Sequence, residues 1–127
     1  MKPIAPMPHR LPGKRILIVE DNPILAYDLS DLIDEVGAET VGPALDLETG
    51  MQLAREDHLF AALLDVDLNG EMVWPLAEEL ERNNVPYAFV SAQCRTETLP
   101  APFTQRECIE KPALREDIVG ALVSFLD

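Results

Sequence analysis

Residues 15–23 read Arg-Ile-Leu-Ile-Val-Glu-Asp-Asn-Pro, and this stretch decides the fold. Ile16-Leu17-Ile18-Val19 is a short, apolar, β-branched run of the kind found in strands buried on both faces. It stops abruptly at Glu20-Asp21. Asn22 then offers a capping side chain and Pro23 stands at the first helical position. Leu25, Leu29, Leu32 and Val36 repeat at helical spacing as far as Gly37. A buried strand, an acidic pair and a helix follow one another within nine residues.

The same alternation continues to the end of the chain. Glu39 to Val41 reads as a second strand. Asp46 to about Asp57 reads as a helix with Leu47, Met51 and Ala54 inward, and Phe60 to Leu64 as a third strand. After an Asp67-Leu68-Asn69-Gly70 loop, Val73, Leu76, Ala77 and Leu80 mark a helix ending near Asn83-Asn84. Tyr87 to Val90 is a fourth strand, Cys108 to Glu110 a weak fifth, and Ile118, Leu122 and Phe125 define a last helix. Strands alternating with helices imply right-handed crossovers and an α/β architecture, a parallel five-stranded sheet covered on both faces. The crossover from Ala92 to Glu107 departs from the pattern, because Pro100 and Pro102 interrupt any helical ladder there. A loop with one helical turn is expected in place of the fourth helix.

Composition narrows the function. The chain has 127 residues, 47% of them hydrophobic, enough for one domain with a core. Residues 1–14 carry prolines at 3, 6, 8 and 12 and read as a flexible leader, with the folded domain over 15–127. The formal charge is −13, and four of the ten basic residues (Lys2, Arg10, Lys14, Arg15) precede the first apolar run while all 23 acids follow it. Such a surface repels a polyanion, so no direct nucleic-acid partner is expected. No apolar run is long enough to span a bilayer and no secretory block opens the chain, so a soluble, cytoplasmic protein is expected. Cys94 and Cys108 are too few to form a disulfide framework and are read as free thiols.

In an open parallel sheet, ligands bind beyond the carboxyl ends of the strands. The polar residues collect there: Glu20 and Asp21 after the first strand, Asp65 after the third, Ser91 after the fourth and Lys111 after the fifth. Three converging carboxylates call for a hard cation, and oxygen donors of this kind suit Mg2+. Asp65 is the candidate nucleophile for a phosphoryl group, with Lys111 to pair with its charge and Ser91 to donate a hydrogen bond. Taken singly, each has a plainer reading: Asp21 as a helix cap, Asp65 as a solvated loop acid, Lys111 as a surface lysine, Ser91 as a strand-end cap. Joint placement gives them their weight. His9 and His58 lack the partners of a phosphodonor or metal ligand, and Trp74 reads as packing near the site.

Glu20-Asp21, Leu64-Asp65, Val90-Ser91-Ala92 and Lys111-Pro112, in that order, resemble the signature of response-regulator receiver domains of two-component systems. The resemblance covers residues 15 to 127. It implies a flavodoxin-like (βα)5 fold, phosphotransfer from a sensor histidine kinase or phosphotransfer protein onto Asp65, and Mg2+ held by Glu20, Asp21, Asp65 and the main-chain carbonyl of Asp67. It also implies a cis peptide before Pro112. Asp67 and Gln93 are candidate modulators of acyl-phosphate hydrolysis. Cys108 occupies the switch position, three residues before the lysine, that is normally aromatic. Pro86-Tyr87-Ala88-Phe89-Val90-Ser91-Ala92 resembles the atypical Pro-Phe-x-Phe-x-Thr-Gly subgroup without its final glycine, and phosphorylation is expected to order residues 92–107. Two other readings remain. One is a pseudo-receiver that binds without phosphorylation. The other is a phosphatase, since Asp65-Val66-Asp67 is similar to the Asp-x-Asp of haloacid-dehalogenase-like enzymes.

Overall fold

The computed structural model describes residues 11–56, 58–92, 94, 99, 100, 103 and 106–126. The expected strands and helices are present: β1 (Arg15–Val19), α1 (Pro23–Glu35), β2 (Glu39–Ala44), α2 (Leu47–Leu53) and β3 (Leu59–Leu64), followed by a short pair, β4 (Asp67–Leu68) and β5 (Glu71–Met72). Then come α3 (Trp74–Arg82), β6 (Tyr87–Ser91), β7 (Cys108–Glu110) and α4 (Arg115–Ser124). The main sheet has the order β2-β1-β3-β6-β7, with all four pairings parallel. This is the flavodoxin-like receiver fold, and the order reverses direction between β1 and β3, which puts a crevice at their carboxyl ends.

Period-two alternation divides the core between the two faces of the sheet. Leu17, Val19, Ala62 and Leu64 pack with Leu76 and Leu80 of α3 and with Leu47 and Met51 of α2. Ile16, Ile18, Ala61 and Leu63 pack with Leu29 and Ile33 of α1 and with Ile118 and Leu122 of α4. Both faces of β1 and β3 are dry, which is why their sequences read as unbroken apolar runs.

Several local expectations need correction. The buried stripe of α1 is Ala26-Leu29-Ile33, continued by Val36, whereas Leu25 is exposed and Leu32 half-buried. The helix carries two overlapping apolar stripes, and the sheet selects one of them. Residues 67–72 form a hairpin in place of a simple loop, with Asn69 (φ 57°) and Gly70 (φ 90°) both left-handed at its tip. An Asn-Gly pair with both φ positive is the usual two-residue hairpin turn. The packed body begins before residue 15: Leu11 is fully buried with Ile33 and Val36, and Gly13 N donates to Gly37 O at 3.0 Å.

Cys94 and Cys108 are not free thiols; they form a disulfide with Cα atoms 5.6 Å apart. A sequence separation of 14 says nothing of their distance once the chain turns back after β6. Between β6 and β7 the described residues make turns and no α-helix, with Phe103 N donating to Pro100 O and Arg106 N to Phe103 O. Gln93 and several of its neighbours in the 92–107 span lie outside the described residues, as do residues 1–10. Leu99 and Phe103 are buried, and Phe103 stacks on Trp74 at 5.2 Å while Phe89 meets both rings edge-on. These rings fill the space over α3.

One glycine positions the site. Gly42 has φ 100°, and a Cβ there would stand 2.7 Å from Ala44 N and 3.2 Å from Ile18 O. The irregularity it permits shifts the β1–β2 register between Leu17 and Val19, so that Ala44 O receives the amide of Glu20 at 2.9 Å. Gly42→Ala is expected to lose about 2 kcal/mol or more of stability, because the clash is with backbone. Urea denaturation checks this; an unchanged midpoint would show that β2 can form without the glycine.

Candidate functional site

Each site residue sits where a strand ends, and backbone bonds fix its height. Glu20 follows β1, Asp65 follows β3 with its amide on Val19 O at 2.8 Å, and Lys111 follows β7 with its amide on Ser91 O at 2.9 Å. Five side chains predicted from sequence (Glu20, Asp21, Asp65, Ser91 and Lys111) are thus delivered to one edge of the sheet. The peptide before Pro112 is cis, as the resemblance implied.

Asn22 performs the helix capping that Asp21 was weighed for. Its Oδ1 accepts from Ile24 N at 2.9 Å and Leu25 N at 3.3 Å, and its own amide donates to Glu20 Oε2 at 3.1 Å. Asp21 instead turns toward the hairpin, where its Oδ2 accepts from Asn69 N at 3.0 Å. Asp67 Oδ1 accepts from Gly70 N at 2.7 Å, closing the same hairpin. The hairpin therefore forms one wall of a cleft of about 500 Å3 whose lining includes Asp21, Asp65, Asp67, Ser91 and Lys111. Sequence reasoning missed Asn69 as a contributor, although the Asn-Gly pair was the signal for it.

The electrostatics are severe. Glu20 is 1% exposed and Asp65 7%. Lys111 Nζ lies 2.8 Å from Glu20 Oε1 and 3.3 Å from Asp65 Oδ2, while Asp65 Oδ1 accepts from Val66 N at 2.8 Å. One ammonium faces two buried carboxylates, with Asp21 beside them. Burial, followed by the charge of Glu20, pushes Asp65 up to about 7, and Lys111 only partly offsets this. Burial acts to lower the Lys111 pKa, yet Glu20 and Asp65 outweigh it and raise the value above its ordinary one.

Glu20, Asp21 and Asp65 each offer a carboxylate oxygen within 4.8 Å of the others. Among the described residues Glu20 Oε1 is buried without an aligned hydrogen bond, and its charge is met by the Lys111 contact. A close set of hard oxygen donors with an under-satisfied member fits a small divalent cation such as Mg2+. Cys108 lies outside the cleft, and Trp74 is set back from it among the aromatic rings.

By fold and by the residues at its strand ends, the chain is similar to receiver domains of the response-regulator class. Solved structures agree. The chain is 27% identical to the response regulator PhyR from Brucella abortus, over 94% of its own length and 49% of that protein, with a TM-score of 0.74. It therefore spans about half of PhyR. It is 28% identical to SdrG from Sphingomonas melonis Fr1, over 91% of its own length and 98% of SdrG, with a TM-score of 0.78. A response regulator receiver protein from Sinorhizobium medicae WSM419 matches at 0.79 with 16% identity, which bears on the fold alone. No family model and no curated relative matches the chain.

The raised Asp65 value has a consequence for stability in metal-free buffer. Between its ordinary 3.8 and about 7, the folded chain holds a proton that the unfolded chain has released. Stability must then fall as pH rises through that window, by at most about 1.4 kcal/mol per pH unit. Asp65→Asn is expected to abolish this slope, so that its gain over wild type in urea denaturation with EDTA is larger at pH 8 than at pH 5. A gain independent of pH would mean that Asp65 is ionised throughout.

Proposed function

We propose that the chain accepts a phosphoryl group on Asp65. The observation that carries this reading is the arrangement at Asp65 itself. Oδ1 is held by the Val66 amide, leaving Oδ2 on the side of Lys111 within the cleft. Oδ2 attacks phosphorus, the bond to the donor nitrogen of a phosphohistidine breaks, and the departing imidazole takes up a proton. Lys111 pairs with the charge of the transferred group and Ser91 donates its hydroxyl to one phosphoryl oxygen. Glu20, Asp21, Asp65 and the main-chain carbonyl of Asp67 would hold Mg2+, which when bound supplies positive charge to the carboxylates and the phosphoryl oxygens.

A sensor histidine kinase or a phosphotransfer protein is the donor this chemistry calls for, in the cytoplasm where such donors work. Output passes by protein contacts or by passing the phosphoryl group on, as a shuttle or sink. Among the described residues no helix is long and apolar enough to cross a membrane. SdrG, at 28% identity, is known in a BeF3-activated conformation, and BeF3 stands in for a phosphoryl group on a carboxylate. The phosphatase reading is weaker, because Asp67 Oδ1 is engaged by the Gly70 amide in closing the hairpin.

Incubation with Mg2+ and a small phosphodonor, read by intact mass, tests the proposal. Wild type is expected to gain one phosphoryl group, Asp65→Asn none, and EDTA to abolish the gain. Equal gain in the Asp65→Asn variant would place the acceptor elsewhere. No gain together with no Mg2+ binding in calorimetry would favour the pseudo-receiver.

A further inference from the structure

Cys94 lies three residues beyond Ser91, and Cys108 lies three residues before Lys111. The disulfide therefore joins the two chain segments that carry Ser91 and Lys111, one side of the cleft. Ser91 is in register with Glu110, whereas Cys108 is in register with Phe89, two residues further from the cleft. To reach Cys108, the chain leaving Ser91 has to double back along β7, and the bond fixes that reversal.

It meets the cleft at one atom. Ser91 O accepts the Lys111 amide at 2.9 Å and lies 3.8 Å from Cys94 Sγ. The carbonyl that sets the backbone of Lys111 is thus in contact with the sulfur that holds the turn. The bond is also within reach of a reagent, since both cysteines are half-buried and line a cavity of about 560 Å3 with Glu107, Glu110 and Asp117.

We propose that Cys94 and Cys108 are a dithiol–disulfide switch, in which reduction by a dithiol loosens the Ser91–Lys111 edge of the carboxylate cleft. A thiolate of the reductant attacks one cysteine sulfur, the S–S bond breaks, and the departing sulfur takes up a proton. The second thiol of the reductant then resolves the mixed disulfide and frees the other cysteine. Two electrons pass to the protein and the reductant leaves as its own disulfide. Exchange with a disulfide oxidant reverses the step. The consequence for phosphoryl transfer rests on the acceptor reading of Asp65; the loosening does not.

Alkylation of the native full chain, read by intact mass, is expected to label neither cysteine before dithiothreitol and both after it. Hydrogen exchange then reads the coupling. The Lys111 amide should exchange about tenfold faster in the reduced protein, while Ile18 and Leu63 in the central strands keep their rates. The Cys94→Ser/Cys108→Ser variant should match reduced wild type and ignore dithiothreitol. Labelling of both cysteines before reduction, an unchanged Lys111 rate, or equal acceleration at all three amides would each overturn the switch. Phosphoryl gain at different rates in the oxidised and reduced forms extends it to signalling, and equal rates overturn that extension. No gain in either form, with the Lys111 difference present, retires the acceptor reading and leaves the switch standing.

Discussion

Two buried carboxylates share one ammonium at the carboxyl edge of the sheet, and the rest of the site follows from that imbalance. Glu20 and Asp65 are almost fully out of water, and Lys111 is the cation that contacts both. An uncompensated buried charge costs several kcal/mol, so the folded chain has to acquire positive charge there. A proton on Asp65 is one answer, visible in its raised pKa. A divalent cation would be the other, and it would leave Asp65 ionised, as the proposed acceptor role requires.

The fold exists in a form that holds this tension in place. Apolar strands covered on both faces give rigid ends, and backbone bonds across them fix Glu20, Asp65 and Lys111 at neighbouring heights. The Gly42 irregularity sets the first of these, the parallel β6–β7 pairing the last. Asn22 takes over the helix cap and so leaves Asp21 to face the cleft. The hairpin at 67–72 closes the remaining side through Asn69. Stability is thereby spent on elements around the cleft, and strain from like charge is concentrated inside it.

Much of this was legible in the sequence because it depends on order along the chain. Apolar runs ending in Glu20-Asp21, Asp65, Ser91 and Lys111 can only meet at one sheet edge once the strands are parallel. What could not be read depends on register and on competition between near-equivalent choices. The buried stripe of α1 runs through Ala26 because the sheet selects one of two apolar stripes, and no spacing rule ranks them. The Cys94–Cys108 bond follows from a chain reversal after Ser91 that sequence separation does not reveal. Leu11 carries no periodicity among its prolines, yet it plugs the core beside Ile33. The Asn69-Gly70 hairpin was readable from its turn residues and was passed over as a loop.

The charge imbalance can be measured at its source by following the Asp65 carboxyl carbon by NMR across pH, in metal-free buffer and again with saturating Mg2+. A midpoint near 7 is expected without metal, moved down into or below the ordinary carboxylate range by Mg2+, with the shift lost in Asp21→Asn. A midpoint that Mg2+ leaves where it was would contradict the view that these carboxylates are arranged to be completed by a cation.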